Sequence, residues 1–89
     1  EFDSEDLPMV REKGKGRFEV DALISIEDFN EFFDTQYLDE DFDTLGGMII
    51  HELGKLPQAG ESLSINPLTF KILRSDSRRL QLIEVKEIE

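Results

Sequence analysis

The sequence contains no cysteine and a single histidine, His51. The absence of cysteine excludes disulfides, thiolate metal sites and thiol nucleophiles, and a reducing compartment permits such a composition. The His51-Glu52 pair lacks the second histidine that a zinc protease helix needs, and no serine stands beside a base. We therefore expect neither hydrolysis nor acyl transfer, and we do not expect this chain to be an enzyme.

Long hydrophobic runs are also missing. No stretch approaches the roughly 18 to 20 apolar residues that a membrane-crossing helix needs. We therefore expect no direct membrane insertion by this fragment of 89 residues, 38% of which are hydrophobic. Because the chain opens at Glu1 without a methionine or a signal-like segment, we interpret it as one small domain excised from a longer protein.

Lysine and arginine are absent from Phe18 to Gly54, which we call the base-free segment. The whole chain has 21 acids and 10 bases, and the base-free segment alone carries its net charge of −11. A one-sided acidic surface repels phosphate groups and anionic lipid, which excludes nucleic acid as a partner and favours cations or a basic protein. The acids of this segment are Glu19, Asp21, Glu27, Asp28, Glu31, Asp34, Asp39, Glu40, Asp41, Asp43 and Glu52.

The start of the chain has no sustained periodicity. An acidic stretch, EFDSEDLP, precedes a basic, glycine-punctuated one, VREKGKG. We interpret residues 1–16 as a linker and lead-in and residues 17–89 as the globular domain. Residues 18–24 alternate between apolar and polar before a doubled apolar pair, which predicts a strand interrupted by a turn or bulge near Asp21-Ala22.

A short amphipathic helix is predicted after Ser25, whose hydroxyl can cap a free amide at the helix start. Apolar residues then recur at helical spacing, and we assign this phenylalanine-rich stripe to the core. The stripe comprises Ile26, Phe29, Phe32 and Phe33.

A second helix is predicted between an N-cap at Asp43 or Thr44 and a C-terminal Gly54, which suits the left-handed residue past a helix end. Gly46 and Gly47 lie inside it, although glycine destabilises a helix interior by about 1 kcal/mol relative to alanine. The pair indicates either close approach of another backbone or backbone amides left open to a ligand. On the first interpretation, we predict that Gly47 packs against the sheet. The apolar stripe of this helix comprises Leu45, Met48, Ile49 and Leu53.

The last third of the sequence predicts three strands, SLSI, LTFKIL and RRLQLIEVKEI. The linkers Asn66-Pro67 and Ser75-Asp76-Ser77 are short and rich in turn residues, so an antiparallel meander is the simplest arrangement. The sequence therefore predicts an α+β fold, with a small mixed or antiparallel sheet and two short helices.

The loop before the second helix carries three alternating carboxylates, Asp39, Asp41 and Asp43, as a calcium loop does. An EF-hand is excluded because Thr44 stands where its glycine is required and Ile50 where its bidentate glutamate is required. A weaker divalent-cation site on the three aspartates stays open, beside the alternative of a solvated charge run with a helix cap. No residue is assigned to catalysis or to cofactor binding.

Three sequence blocks, ISIEDFNEFF (24–33), DFDTLGGMIIHELGKLPQAGESL (41–63) and FKILRSDSRRLQLIEV (70–85), occur in an order and spacing that resemble the CorC/HlyC-type transporter-associated domain. The resemblance spans residues 17–87, and its most specific parts are DTLGG, GKLPQAGE and RRLQLIEV. The sequence departs from the family at Ala22, where glycine is usual, so the first strand turn is expected to be built differently.

Such domains close many bacterial proteins built from a membrane domain and a pair of CBS modules. The resemblance implies a fold similar to a subdomain of the flavin-binding fold of certain oxidases. It also implies a parent protein linked to magnesium and cobalt efflux or named a haemolysin homologue, on the cytoplasmic side of the bacterial inner membrane. The CBS and membrane domains of that parent are the expected partners, and a homodimer stays open.

Three function classes remain at this point. Composition favours the first two, a regulatory or interaction module that packs on its parent or a second copy, and a cation sensor that uses the acidic loop. The third is an adenine-nucleotide or flavin binder by fold analogy alone. Two short helices and a meander scarcely provide a cleft for a flavin, so we expect no cofactor.

Overall fold

Both helices lie on one face of a five-stranded antiparallel sheet in the computed structural model, which describes residues 9–38 and 40–87. The expected α+β class is therefore confirmed. The elements in chain order are β1 (Val10–Gly14), β2 (Arg17–Asp21), α1 (Ile26–Phe33), α2 (Leu45–Leu53), β3 (Ser62–Ile65), β4 (Leu68–Ser75) and β5 (Leu80–Glu87).

The strands follow the order β1-β2-β5-β4-β3. The predicted meander of β3, β4 and β5 is present, with Phe70 facing Leu63 on one side and Val85 on the other. Strand β5 also pairs with β2, so it holds the centre of the sheet. The β3–β4 turn contains a cis peptide between Asn66 and Pro67.

Alternation along the strands explains why one face of the sheet is covered. In β4, Phe70 and Ile72 are fully buried, whereas Lys71 between them is exposed. The buried strand residues pack against α1 and α2, and we call the other side of the sheet the open face. The core comprises Val20, Ala22, Ile24, Ile26, Phe29, Leu45, Met48, Ile49, Leu68, Phe70, Ile72, Leu80, Ile83 and Val85.

Strand β1 lies in the segment that the sequence assigned to a linker and lead-in. It pairs with β2 from Val10 opposite Val20 to Gly14 opposite Arg17, so the sheet begins before residue 17. Its three central residues are charged and exposed, which leaves no apolar alternation to detect. The strand is specified by main-chain pairing at the sheet edge, where charged side chains are common.

The phenylalanine stripe of α1 belongs to the core only in part. Phe29 is fully buried, but Phe32 is 46% exposed, so its assignment to the core is wrong. At about 100° per residue, Ile26, Phe29 and Phe33 share one side of this eight-residue helix, and Phe32 lies at the margin. The Phe32 ring meets Phe18 edge to face instead, with centroids 5.8 Å apart.

The helix ends follow the predicted capping. Ser25 Oγ accepts a hydrogen bond from Asp28 N at 3.0 Å, and Thr44 Oγ1 accepts one from Gly47 N at 3.1 Å. Thr44, rather than Asp43, is therefore the cap of α2. Gly54 ends α2 with a φ of 74°, in the left-handed region that favours glycine.

The close approach predicted for the glycine pair occurs at Gly46, one residue earlier than expected. A Cβ on Gly46 would lie 3.2 Å from Ala22 Cβ and 3.3 Å from Ala22 O, and Gly46 N donates to that carbonyl at 2.9 Å. A Cβ on Gly47 would instead meet the side chains of Phe42 and Thr44. The prediction that Gly47 packs against the sheet is therefore wrong.

Candidate functional site

Carboxylates from the base-free segment line the helical side of the molecule. Ile26 N donates to Asp43 O at 2.9 Å, which joins the loop before α2 to the start of α1. The two N-caps, Ser25 and Thr44, form an isolated bridge at the same place. We call these exposed carboxylates the acidic face. Its described members are Glu27, Asp28, Glu31, Asp34, Glu40, Asp41, Asp43 and Glu52.

An aromatic patch adjoins the acidic face, and we define it as Phe18, Phe32 and Phe33. The ring of Phe18 meets that of Phe33 edge to face at 5.1 Å between centroids, and the rings of Phe32 and Phe33 lie 4.9 Å apart. Glu31 and Asp34, on either side of the phenylalanine pair in sequence, are exposed. The patch is thus a partly exposed apolar surface with carboxylates at its rim.

The loop after α1 is fixed by hydrogen bonds. The Asn30 amide donates to Tyr37 O and accepts from Tyr37 N and Thr35 Oγ1. The Tyr37 hydroxyl donates to Ile65 O at 2.6 Å and so connects the loop to β3. Burial raises the pKa of Tyr37 from 10.0 to about 12, which keeps the phenol neutral at physiological pH.

The three aspartates of the predicted cation site are placed unequally by the structure. Asp39 lies outside the described residues, and both Asp41 and Asp43 are exposed. Asp41 Oδ2 lies 3.9 Å from His51 Nε2, at the limit of an ion pair. Within residues 9–38 and 40–87, no group of three His, Cys, Asp or Glu side chains is arranged to hold a metal. The site that includes Asp39 remains a prediction.

The open face carries a feature that the sequence analysis missed, a cavity of about 460 Å³. Three arginines line it, Arg11 from β1, Arg74 from β4 and Arg79 from the turn before β5, and we call it the arginine basin. Arg74 and Arg79 are close in the sequence but Arg11 is far from both, so no local motif marks the three residues. The one available signal was the restriction of every Lys and Arg to the chain outside residues 18–54.

The chain matches a known protein family over most of its length. Residues 11–89 match the CorC_HlyC family, described as the transporter associated domain. The chain belongs to this family. The resemblance inferred from the sequence is therefore confirmed, and the transporter-associated domain includes β1 apart from its first residue.

Two curated relatives show how this transporter-associated domain relates to longer proteins. It is 43% identical over 86 residues to the magnesium and cobalt efflux protein CorC of Escherichia coli (strain K12), with 97% of this chain and 30% of the relative covered. It is 38% identical over 99 residues to CorC of Pasteurella multocida, with 100% of this chain and 33% of the relative covered. The chain thus spans about a third of the length of these relatives.

Solved structures support the fold. The Mg2+ and Co2+ transporter (CorC) associated region from Neisseria meningitidis MC58 has a TM-score of 0.88 at 39% identity, and the match covers 90% of this chain and 99% of that one. The domain from a Xylella fastidiosa hemolysin, solved in complex with Mg++ and Mn++, has a TM-score of 0.80 at 22% identity, with 91% and 99% covered. The second likeness shows the fold alone.

Over the part of the chain that the structure describes, no helix is long and apolar enough to cross a bilayer.

Proposed function

We propose that this transporter-associated domain is a non-catalytic regulatory or interaction module of a longer, membrane-anchored protein that exports magnesium and cobalt. One observation supports the role of the parent protein, and another supports a non-catalytic domain. Curated relatives carry the name magnesium and cobalt efflux protein, and this chain corresponds to about a third of each. The chain has one histidine and no cysteine, which limits nucleophilic and metal chemistry.

The aromatic patch with its carboxylate rim is the observation that carries the interaction role. Aromatic residues are enriched in the centres of protein interfaces, where the surrounding rim is polar. Phe32 stands 46% exposed although its neighbour Phe29 is fully buried, so α1 presents to solvent nearly half of an aromatic side chain that also contacts Phe18. A basic, apolar surface of the parent protein has the complementary chemistry.

The proposed partners are the CBS and membrane domains of the parent chain, and the proposed location is the cytoplasmic side of the bacterial inner membrane. A module that docks there can favour one conformation of the transport domain over another. It does so only if it binds the two conformations with different affinity.

The test uses the full-length parent protein with Phe32→Ala, and cellular cobalt and magnesium content as the readout. Lys71→Ala is the matched control, because Lys71 is an exposed long side chain on the open face. We expect Phe32→Ala to change metal export at unchanged protein level, while the 89-residue domain that carries the same substitution still unfolds cooperatively. Lys71→Ala should leave export unchanged. Wild-type export by a folded, fully expressed Phe32→Ala protein would contradict the proposal.

The competing classes make a different forecast for the isolated domain. A cation sensor binds divalent ions by itself, and a nucleotide or flavin module binds ATP or FAD by itself. Calorimetric titration of the 89-residue domain with MgCl2, CoCl2, ATP and FAD separates them. Saturable binding of Mg²⁺ or Co²⁺ at micromolar concentration would favour a cation sensor over the interaction role. Saturable binding of ATP or FAD would favour a nucleotide or flavin module.

A further inference from the structure

The arginine basin is built by elements that meet only in the folded sheet. In β2, Val20 is buried in the core, so Glu19 and Asp21 on either side of it point to the open face, where they line the basin. Arg11 comes from the neighbouring edge strand and faces Glu19 in the register of the sheet. Two carboxylates therefore share the basin with three guanidinium groups.

Arg74 and Arg79 are positioned by irregular backbone. The register of β4 against β5 shifts on both sides of Arg74, and such a bulge changes the direction of a side chain. Asp76 Oδ1 accepts from the backbone amides of Arg78 and Arg79 at 2.8 and 2.9 Å, and Asp76 N donates to Arg79 O. These amides lower the pKa of Asp76, so the carboxylate that orders the turn stays ionised.

Two carboxylates line the basin beside three guanidinium groups, and the carboxylate of Asp76 also interacts with Arg79. Asp21 Oδ1 already accepts a hydrogen bond from Leu23 N at 2.8 Å. Among residues 9–38 and 40–87, none of the ion pairs within 4.0 Å includes Arg11, Arg74 or Arg79. Arginine binds carboxylates in a bidentate geometry, so the basin offers sites for the carboxylates of a further group.

The chain enters the sheet beside this basin. Met9 O accepts a hydrogen bond from Asp21 N at 2.8 Å, and Asp21 lines the basin. Residues 1–8 lie outside the described part of the structure, and their sequence EFDSEDLP contains four acids and no base. Eight residues span at most about 26 to 29 Å. Arg74 lies opposite Leu82, which lies opposite Asp21, so the basin extends across two strand spacings from Asp21, or about 10 Å.

We propose that the arginine basin binds the acidic segment formed by residues 1–8. The carboxylates of this segment pair with the guanidinium groups of Arg11, Arg74 and Arg79. Because any upstream part of the protein connects through this segment, its binding sets the direction in which the connection leaves the sheet. The inference stands on the basin and the charge of the segment, and it does not depend on the proposed function.

The net charge of −11 does not prevent this contact. The acidic face lies on the helical side of the sheet and the basin lies on the open face. Exposed charges farther apart than the Debye length, about 8 Å at physiological ionic strength, are largely screened. The carboxylates of residues 1–8 therefore respond mainly to the charges of the basin itself, which are three arginines and two acids.

The experiment compares the wild-type 89-residue chain with a neutral-segment variant, E1Q/D3N/E5Q/D6N, by NMR of backbone amides and arginine Nε–H groups. We expect resonances of the basin to differ between the two proteins at low salt. We expect the synthetic peptide EFDSEDLP, added to the neutral-segment variant, to shift the same resonances saturably. The neutral peptide QFNSQNLP should shift none of them.

Charge-matched variants in the neutral-segment background test the site. R11Q/R74Q/R79Q should abolish the saturable shifts caused by the acidic peptide, whereas K13Q/K15Q/R78Q should retain them, because those three bases lie outside the basin.

Identical basin resonances in the wild type and the neutral-segment variant would overturn the proposal. So would saturation by inorganic phosphate without any response to the peptide, which would make the basin a small-anion site. Both of these readouts are independent of the folding of the triple-arginine variant.

Discussion

The helix-covered side of the sheet and the open face differ in the kinds of residue that they carry. The helical layer packs Phe29, Leu45 and Ile49 against the strands at zero exposure, and α1 and α2 contain no lysine or arginine. The open face carries both signs of charge, including the ion pair between Arg17 and Glu84 at 4.0 Å. One side therefore stabilises the fold by burial, and the other contributes a charged surface that folding itself does not require.

This difference indicates where substitutions should matter. Apolar burial contributes about 25 cal/mol per Å² of surface removed from water, whereas an exposed ion pair contributes about 0 to 1 kcal/mol. Changes in the helical layer should therefore alter the free energy of unfolding, and changes on the open face should alter binding. The following predictions test that division, from the largest effect to the smallest.

Phe29→Ala should produce the largest loss of stability. Phe29 is fully buried and contacts the rings of Phe33 and Phe70, with centroids 4.5 and 6.0 Å away. Removal of a buried phenylalanine ring lowers the free energy of unfolding by about 3 to 5 kcal/mol. Lys71→Ala on the open face should stay within about 0.5 kcal/mol of the wild type. Urea unfolding followed by circular dichroism measures the free energy of unfolding of both variants. Similar losses in the two would contradict the division between a stabilising helical layer and a charged open face.

Gly46→Leu should lower the free energy of unfolding by about 1 to 3 kcal/mol, as expected for overpacking in a filled site. The new Cβ would lie 3.3 Å from Ala22 O, and a backbone carbonyl cannot rotate away as a flexible side chain can. Gly47→Leu is the matched control in the same helix, because its new Cβ would meet Phe42 Cβ and Thr44 Oγ1, at 3.2 and 3.3 Å, and no backbone atom. We expect Gly47→Leu to be the more stable variant in thermal unfolding. The reverse order would restore Gly47 as the contact residue.

Tyr37→Phe should lower the free energy of unfolding by about 0.5 to 1.5 kcal/mol, because it removes the hydrogen bond to Ile65 O. The pH dependence gives a second test. The folded pKa of about 12 lies above the usual 10.0, so the unfolded chain loses the phenol proton first. Stability of the wild type should therefore fall as pH rises from 10 toward 12, beyond the fall seen in Tyr37→Phe. Parallel curves for the two proteins would contradict the burial of this phenol.

The smallest effect is expected from the acidic loop. Repulsion within the acidic face should make NaCl stabilising, and D39N/D41N/D43N should weaken that salt dependence. Divalent chlorides at matched ionic strength should add little beyond NaCl. A cation that binds only the folded state at a hundredfold excess over Kd would add about 2.7 kcal/mol. A melting shift of several degrees by micromolar MgCl2, CaCl2 or CoCl2, lost in the triple variant, would establish a cation site.

Local signals predicted the parts of the fold that depend on local chemistry. Ser25 and Gly54 were recognisable because capping requires a particular side chain or backbone conformation. Strand β1 was missed because its residues Arg11, Glu12 and Lys13 are all exposed, and only pairing with β2 makes them a strand. Phe32 was assigned to the core because helical spacing does not reveal how much of a short helix the sheet covers.

The candidate sites were less predictable than the fold. Alternating aspartates can be recognised in any sequence, but the pattern alone does not make them metal ligands. In the structure, the loop brings Asp41 toward His51. The arginine basin, by contrast, cannot be recognised from a local pattern. Arg11 on β1 and the two arginines of the β4–β5 hairpin come together only through the order of the strands. Charge segregation was the informative feature, because it is a property of the whole sequence rather than of one motif.

The central place of β5 has a consequence for how the chain reaches this structure. Without β5, the sheet falls into two hairpins, β1-β2 and β3-β4, that share no hydrogen-bonded edge. Isolated two-stranded hairpins are marginally stable in water at best. During synthesis, β1 and β2 therefore gain a stable pairing partner only after β5 has been made. We expect this domain to fold only once synthesis has passed β5, and a nascent chain that ends before Leu80 cannot form the native sheet.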